Sequence, residues 1–308
     1  MDALASLLEG PRARGAFLMR SIPDPPWSLR IQDEAPLTLL ALMRGEAWIL
    51  SDDADPVRLV AGDVAVIRGP QPDTVADSPG IDPQIVIQPG QITTTPDGEV
   101  LCETLNLGVR SWGTDPDGAT MMVTGTYEMC GAVSDRLLRA LPQAVVLSEQ
   151  ELNCPVHPLL GTEIVKEEPG QGVVLDRLLD LLLITALRTW FARYGAPSWY
   201  HAYSDPVVGK ALRLLQNNPQ HPWTVANLAT ESGVSRAALA RRFTDLVGVP
   251  PMAFLTEWRL SLAADLLRES DATIESVARQ VGYGSAFALS TAFKRAHGIS
   301  PREHRKGA

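Results

Sequence analysis

Two hydrophobic rhythms divide the chain. Over roughly the first ninety residues, short runs such as GAFLMRSI, WSLRI, LTLLALM, EAWIL, VRLV, DVAVI and IVI are apolar or alternating, with Pro, Gly and Asp between them. That spacing predicts β-strands folded into an antiparallel barrel or sandwich. From Val174 the period becomes helical. In VLDRLLDLLLITALRTWF, Leu175, Leu178, Leu179, Leu182 and Ala186 mark one face, and Leu181, Leu183 and Trp190 widen it. A stripe that broad predicts burial on two sides, either inside one domain or partly against a second subunit. The segment GAPSWYHAYSDP that follows, rich in Pro, Gly and Ser, reads as an interdomain linker.

Beyond it the chain repeats itself. Thr224, Ala229 and Gly233 recur 49 residues later as Thr273, Ala278 and Gly282. Ser235, Leu239, Phe243 and Gly248 recur 50 later as Ser285, Leu289, Phe293 and Gly298, one residue having entered between glycine and serine. Each position has a physical reason. Thr224 and Thr273 cap a first helix, the small Ala229 and Ala278 let a second helix cross closely, and Gly233 and Gly282 free the backbone at the turn. Ser235 and Ser285 cap the second helix, which buries Leu and Phe four residues apart. A doubled helix-turn-helix offers two helices to two successive major grooves, so the repeat points to DNA binding. Between the copies, PPMAFLTEWRLSLAADLLRES carries Phe254, Leu255, Trp258, Leu262 and Leu266 near a 3.6-residue period. It predicts one helix packed against both units, with Trp258 as a core anchor.

On the second helix of the first copy, Arg236, Ala237, Ala240 and Arg241 lie opposite Leu239 and Phe243. The Arg241 fork suits guanine O6 and N7, whereas Arg236 and Arg242 suit phosphates. The second copy presents Ser285, Ala286, Phe287, Ser290 and Thr291, small or apolar groups that give no strong bidentate contact. Lys294 and Arg295 near its end suit phosphates. Charge agrees with this division. Residues 204–308 hold 13 Lys and Arg against 9 Asp and Glu, while the rest holds 14 against 27, for a net charge of −9 overall. The basic excess sits where phosphate must be neutralised.

Residues from about 205 to 306 resemble the DNA-binding domain of the AraC/XylS transcription regulators, and Ile274 to Arg305 carries that family's signature nearly whole. It departs at His304, where the family usually has Tyr. Arg241 matches a base-contacting position of the family. GDVAVIRGPQPDTV resembles the second motif of the cupin barrel. With GEAWIL before it and TYEMCGAVSDRLLRALPQAVVL after, residues 1 to about 150 resemble the cupin-type sensor of one AraC subfamily. The expected fold class is therefore α+β: a cupin-like antiparallel β-barrel with a helical dimerisation segment (1–195), a linker (196–204) and an all-α tandem helix-turn-helix domain (205–308). Double-stranded DNA, RNA polymerase, a small-molecule effector and a second copy of the chain are the partners this resemblance implies.

Many cupins are metal enzymes, held by two or three His with a carboxylate. The five histidines, His157, His201, His221, His297 and His304, all lie outside the barrel segment, and Thr74 stands about where the second motif supplies its ligand. Glu46, Asp63, Asp73 and Asp77 alone would make an oxygen-only site, so neither a metal, a cofactor nor an enzyme is expected. His157 and His201 read as loop or surface residues. Cys102, Cys130 and Cys154 have no CxxC spacing and read as reduced thiols. Trp27, Trp48 and Trp112 are aromatic candidates for a barrel pocket, and none is singled out. No run reaches the roughly 18 to 20 apolar residues of a membrane span, and a cytoplasmic protein is expected. Three readings remain open: a ligand-responsive regulator, a constitutive one whose barrel only dimerises, and a cupin enzyme fused to a DNA-binding domain.

Overall fold

The computed structural model describes residues 17–306 apart from 53, 102, 103, 109, 128–136, 167 and 197. The chain forms two compact units that meet in sequence between Gly195 and Ala196. Cys102 and Cys130 lie outside the described residues, and Cys154 is a free, partly buried thiol.

The N-terminal unit is built from strands β1 (Phe17–Ile22), β2 (Ser28–Ile31), β3 (Leu37–Arg44), β4 (Glu46–Ser51), β5 (Val57–Val60), β6 (Val64–Arg68), β7 (Asp73–Ala76), β8 (Ile85–Gln88), β9 (Ile92–Thr94), β10 (Asn106–Gly108), β11 (Ser111–Gly113), β12 (Met121–Tyr127) and β13 (Ala144–Leu147). They pair as two sheets, in the orders β10-β11-β1-β12-β3-β6-β13 and β5-β4-β7-β2-β8-β9. The cupin-like β-domain is thus two facing sheets that do not close into one ring. Its pairing is antiparallel except where β1 meets β11 and β2 meets β8. The core lies between the sheets, with Leu40, Leu42, Ala65, Ile67 and Met122 from one packed with Trp27, Leu29, Ala47, Ile49, Leu59 and Val75 from the other.

The larger sheet is covered on its other side as well. Along β3, Leu37, Leu39 and Ala41 are as buried as Leu40 and Leu42, which is why the strand reads as a continuous apolar run. Helices α1 (Glu149–Leu152), α2 (Val156–Glu163) and α3 (Gln171–Tyr194) follow the last strand. α3 packs on β6, β13 and α2. It lies close over Gly125 of β12, where a Cβ would stand 2.9 Å from Leu179 Cδ1. The two-sided burial predicted for this helix is met inside its own unit, by sheet and α2, and takes in Leu183, Leu187 and Phe191. Leu181 instead faces solvent with Val173 and Val174. Trp190 stacks on Tyr194 at 4.2 Å.

His157 corrects an expectation. It is not a loop or surface residue but a buried side chain of α2, and burial pushes its imidazole below the ordinary histidine value. His201 lies, as an exposed residue, on a short helix.

The second unit is helical: α4 (Ser198–Ala202), α5 (Val208–Asn217), α6 (Val225–Glu231), α7 (Arg236–Val247), α8 (Pro251–Glu269), α9 (Ile274–Val281), α10 (Ala286–His297) and α11 (Pro301–Lys306). Part of the segment read as a linker is built into it. Ala202 is fully buried and Tyr203 packs beside it in the first core of this unit. Composition marked the segment as an interdomain linker, but these two side chains pack with α7 and its neighbours.

Candidate nucleic-acid interface

Both copies of the repeat fold as the same capped pair of helices. In the first, Thr224 Oγ1 accepts the Asn227 N–H at 3.1 Å and Ser235 Oγ accepts the Ala238 N–H at 3.2 Å. In the second, Thr273 Oγ1 accepts the Ser276 N–H and Ser285 Oγ the Ala288 N–H, each at 3.2 Å. The turns match too. Val234 donates its N–H to the Ala229 carbonyl at 3.0 Å, and Tyr283 donates to Ala278 at 2.8 Å. Both bonds close around a glycine in the left-handed region, the usual way to end a helix without orphaned carbonyls.

Two separate cores hold the copies. Leu228, Ala229, Leu239, Phe243 and Val247 pack with Ala211, Leu212 and Leu215 of α5 and with Phe254 and Leu255 at the start of α8. Val277, Ala278, Val281, Leu289 and Phe293 pack with Leu260, Ala263, Ala264 and Leu267 from its second half. α8 is therefore a strut shared by both units, with Trp258 packed against the first core. Its buried face differs from the sequence period: Leu260, Ala263, Ala264 and Leu267 are buried, whereas Leu262 and Leu266 are only partly so.

The candidate DNA-contacting residues fall on the uncovered sides of α7 and α10. Arg236, Ala237 and Arg241 are exposed and Ala240 is half-buried. Phe287, Thr291, Lys294 and Arg295 are exposed, and Ser285, Ala286 and Ser290 are half-buried. Arg242 is exposed but engaged: its Nε and Nη2 donate to Asp205 Oδ2 at 2.9 and 2.6 Å. Asp205 in turn accepts the N–H groups of Val207 and Val208 at the start of α5. The pair ties α7 to α5. Nothing in the sequence singled out Asp205, although an Asp just ahead of a helix is a capping signal.

In the second copy, Glu275 Oε2 accepts the Ala286 N–H at 2.9 Å, placing a carboxylate at the start of α10. His304 takes the place of the family's aromatic residue on α11. Its ring meets Phe293 edge-on at 5.3 Å, and burial holds its pKa below the ordinary value. Next to it, Arg305 donates to the carbonyls of Leu267 and Ala272, closing the end of α8.

Within the N-terminal unit, a cleft opens between the sheets. Leu29, Leu40, Val75, Trp112 and Met122 give it apolar walls. Its polar groups are the hydroxyls of Ser21, Thr38, Thr93, Thr124 and Thr126, the Gln91 amide and the Asp33 carboxylate. Gln91 Nε2 donates to Asp33 Oδ2 at 2.6 Å. Among the described residues that line the cleft there is no Lys, Arg or His. Of the three tryptophans considered, Trp112 lines it and Trp27 is core. The four acids weighed as metal ligands each have a partner: Glu46 pairs with Arg58 at 2.6 Å, Asp63 accepts the Val60 N–H, Asp73 accepts the Ser51 hydroxyl and Gln143 amide, and Asp77 accepts the Ser78 hydroxyl at 3.4 Å. Thr74 accepts a bond from Arg30 at 3.2 Å.

Residues 2–192 match the Cupin family and residues 228–307 the Helix-turn-helix domain family. Over 99% of its length the chain is 30% identical to an AraC-like transcription regulator of Streptomyces lividans, covering 98% of that protein. It is 29% identical to one from Streptomyces antibioticus and 27% identical to the HTH-type transcriptional regulator AlkR of Acinetobacter baylyi, with 99% of both chains covered in each case. A cupin domain followed by a tandem helix-turn-helix, together with similarity over the whole length of these relatives, places the chain in the AraC family of DNA-binding transcription regulators.

Proposed function

We propose that the protein reads duplex DNA with α7 and α10 in successive major grooves, α7 supplying the stronger discrimination. The observation that carries this is the pair of equally capped helices, each fixed by its own core to the shared strut α8, with uncovered outer faces. Grooves on one side of B-form DNA recur about every 34 Å, and one stiff helix between the units keeps such a spacing. Arg241 is the base reader of α7, bidentate to guanine; Arg236, Lys294 and Arg295 take phosphates, and Ala237, Ala240, Ser285, Ala286, Phe287, Ser290 and Thr291 complete the contact surface. Arg242 serves through Asp205, aligning α7.

The expected result of Arg241→Ala is a loss of about 1–3 kcal/mol in operator affinity with preference relaxed at one guanine. Lys294→Ala weakens all sequences alike and lowers the salt slope by about one. Binding titrations on a selected operator and its point variants, at several salt concentrations, separate the two. An Arg241→Ala protein with unchanged affinity and preference overturns the assignment.

The cleft between the sheets is the site for a signal molecule. Its apolar walls, hydroxyl lining and single carboxylate favour an uncharged or cationic ligand over a carboxylate or phosphate. A ligand at a hundred times its Kd stabilises the native state by about 2.7 kcal/mol. Thermal unfolding of the full chain against a panel of neutral, cationic and anionic small molecules is the check. Stabilisation by anions alone overturns this reading of the cleft. The protein acts by binding and not as an enzyme, in the cytoplasm, as a homodimer joined through the uncovered Val174 and Leu181 side of α3, and in contact with RNA polymerase.

A further inference from the structure

The two reading helices differ in one side chain above all. Aligning the copies sets Ala237 against Phe287, Arg241 against Thr291 and Arg242 against Ala292. α7 thus carries cations through its first two turns, whereas the basic residues of α10 are confined to its last turn. Where α10 would begin its contact stands Phe287, 82% exposed, while its sequence neighbours in the repeat, Phe243 and Phe293, are fully buried. Leaving an aromatic ring in water forgoes the stabilisation those two gain. The start of α10 is also unsuited to a phosphate. The Glu275 carboxylate already accepts the Ala286 N–H there, and the corresponding residue of the first copy is the uncharged Ala226.

Phe287, Thr291, Lys294 and Arg295 are spaced by four, three and one residues and are all exposed, so they form one stripe along the helix. Its basic end suits the DNA backbone, which turns its apolar end toward the bases. In the major groove the apolar group that bases offer is the thymine 5-methyl. We propose that Phe287 is the specificity-determining residue of the second unit and reads thymine through that methyl group, with Ala286 and Thr291 beside it. The proposal rests on the DNA-reading role assigned above to α7 and α10.

Uracil lacks only this methyl, which makes it the probe. An operator is first selected with the full chain from a random duplex pool, and each thymine is then replaced singly by uracil. The wild-type protein should lose about fourfold in affinity at one or two adjacent thymines, the value of one buried methyl each. Phe287→Ala should remove that sensitivity while keeping the guanine preference that Arg241 sets, and Phe287→Leu should keep part of it. Because the ring is exposed, neither change threatens the fold. A wild-type protein that selects an operator but is indifferent to uracil throughout overturns the inference, as does a Phe287→Ala protein with the same uracil profile as wild type. If that variant binds normally yet fails to alter transcription in a purified system, the ring belongs to a protein contact instead. Failure of the wild type to select any sequence would strike the DNA-reading role itself, and is distinguishable from these outcomes.

Discussion

Replacing Phe293 by alanine should cost about 3–5 kcal/mol, the range for emptying a large aromatic from a closed core, and should loosen the second unit alone. Phe293 is fully buried in the cluster formed by α9, α10 and the second half of α8, and the rings of His297 and His304 lie 4.3 and 5.3 Å from it. Phe243 holds the equivalent place in the other cluster, edge-on to Phe254 at 5.9 Å. Since the two side chains share no cluster, the costs of Phe243→Ala and Phe293→Ala should be nearly additive. Native-state hydrogen exchange is the suitable measurement, because a chain of two compact units need not unfold in one step. Phe293→Ala should lose protection in α9 and α10 while α6 and α7 keep theirs, and Phe243→Ala should do the converse. Equal loss in both halves for either variant would show one cooperative core running through α8.

This division into two cores was legible because the repeat writes it twice. Thr, Ala, Gly, Ser, Leu and Phe recur at fixed offsets, and every one of those positions has a local physical reason, so sequence and structure meet residue by residue. The β-unit was legible only in part. Strands with continuous or alternating apolar runs, such as β3 and β6, declare themselves. β12 does not, since Gly125 and Thr126 interrupt its pattern, and the reason is a contact 54 residues away with Leu179 of α3. The cleft could not be read in advance either. Its hydroxyls come from several separate strands, and each Ser or Thr looks by itself like an ordinary strand residue. Arg242 illustrates the same limit at the candidate DNA face. Spacing put it near the phosphates, whereas its bond to Asp205 joins residues 37 apart in the chain.

The repeat also hides a difference that only packing reveals, and the two turn glycines expose it. Gly233 has φ +72° and open space where a Cβ would stand; Gly282 has φ +86°, and its Cβ would lie 2.7 Å from Gln220 Cα and 2.8 Å from the Pro219 carbonyl oxygen. Gly233→Ala should therefore cost about 1–2 kcal/mol, the penalty of the left-handed conformation alone. Gly282→Ala bears that penalty and a backbone collision, and should cost about 3 kcal/mol or more, in the range reserved for strain and overpacking. The collision lies where the second unit meets the loop that leads into the first. Arg259 of α8 grips the same loop through the carbonyls of Pro219 and His221, at 2.7 and 2.9 Å. Displacing that loop tilts one reading helix against the other. Gly282→Ala should accordingly lose affinity for a full operator well below its unfolding temperature, while keeping more of its affinity for a half-site read by α7 alone. Paired denaturation and DNA titrations of the two variants decide the matter: equal costs for Gly233→Ala and Gly282→Ala, with operator and half-site affected alike, would mean that the junction does not set the spacing between the units.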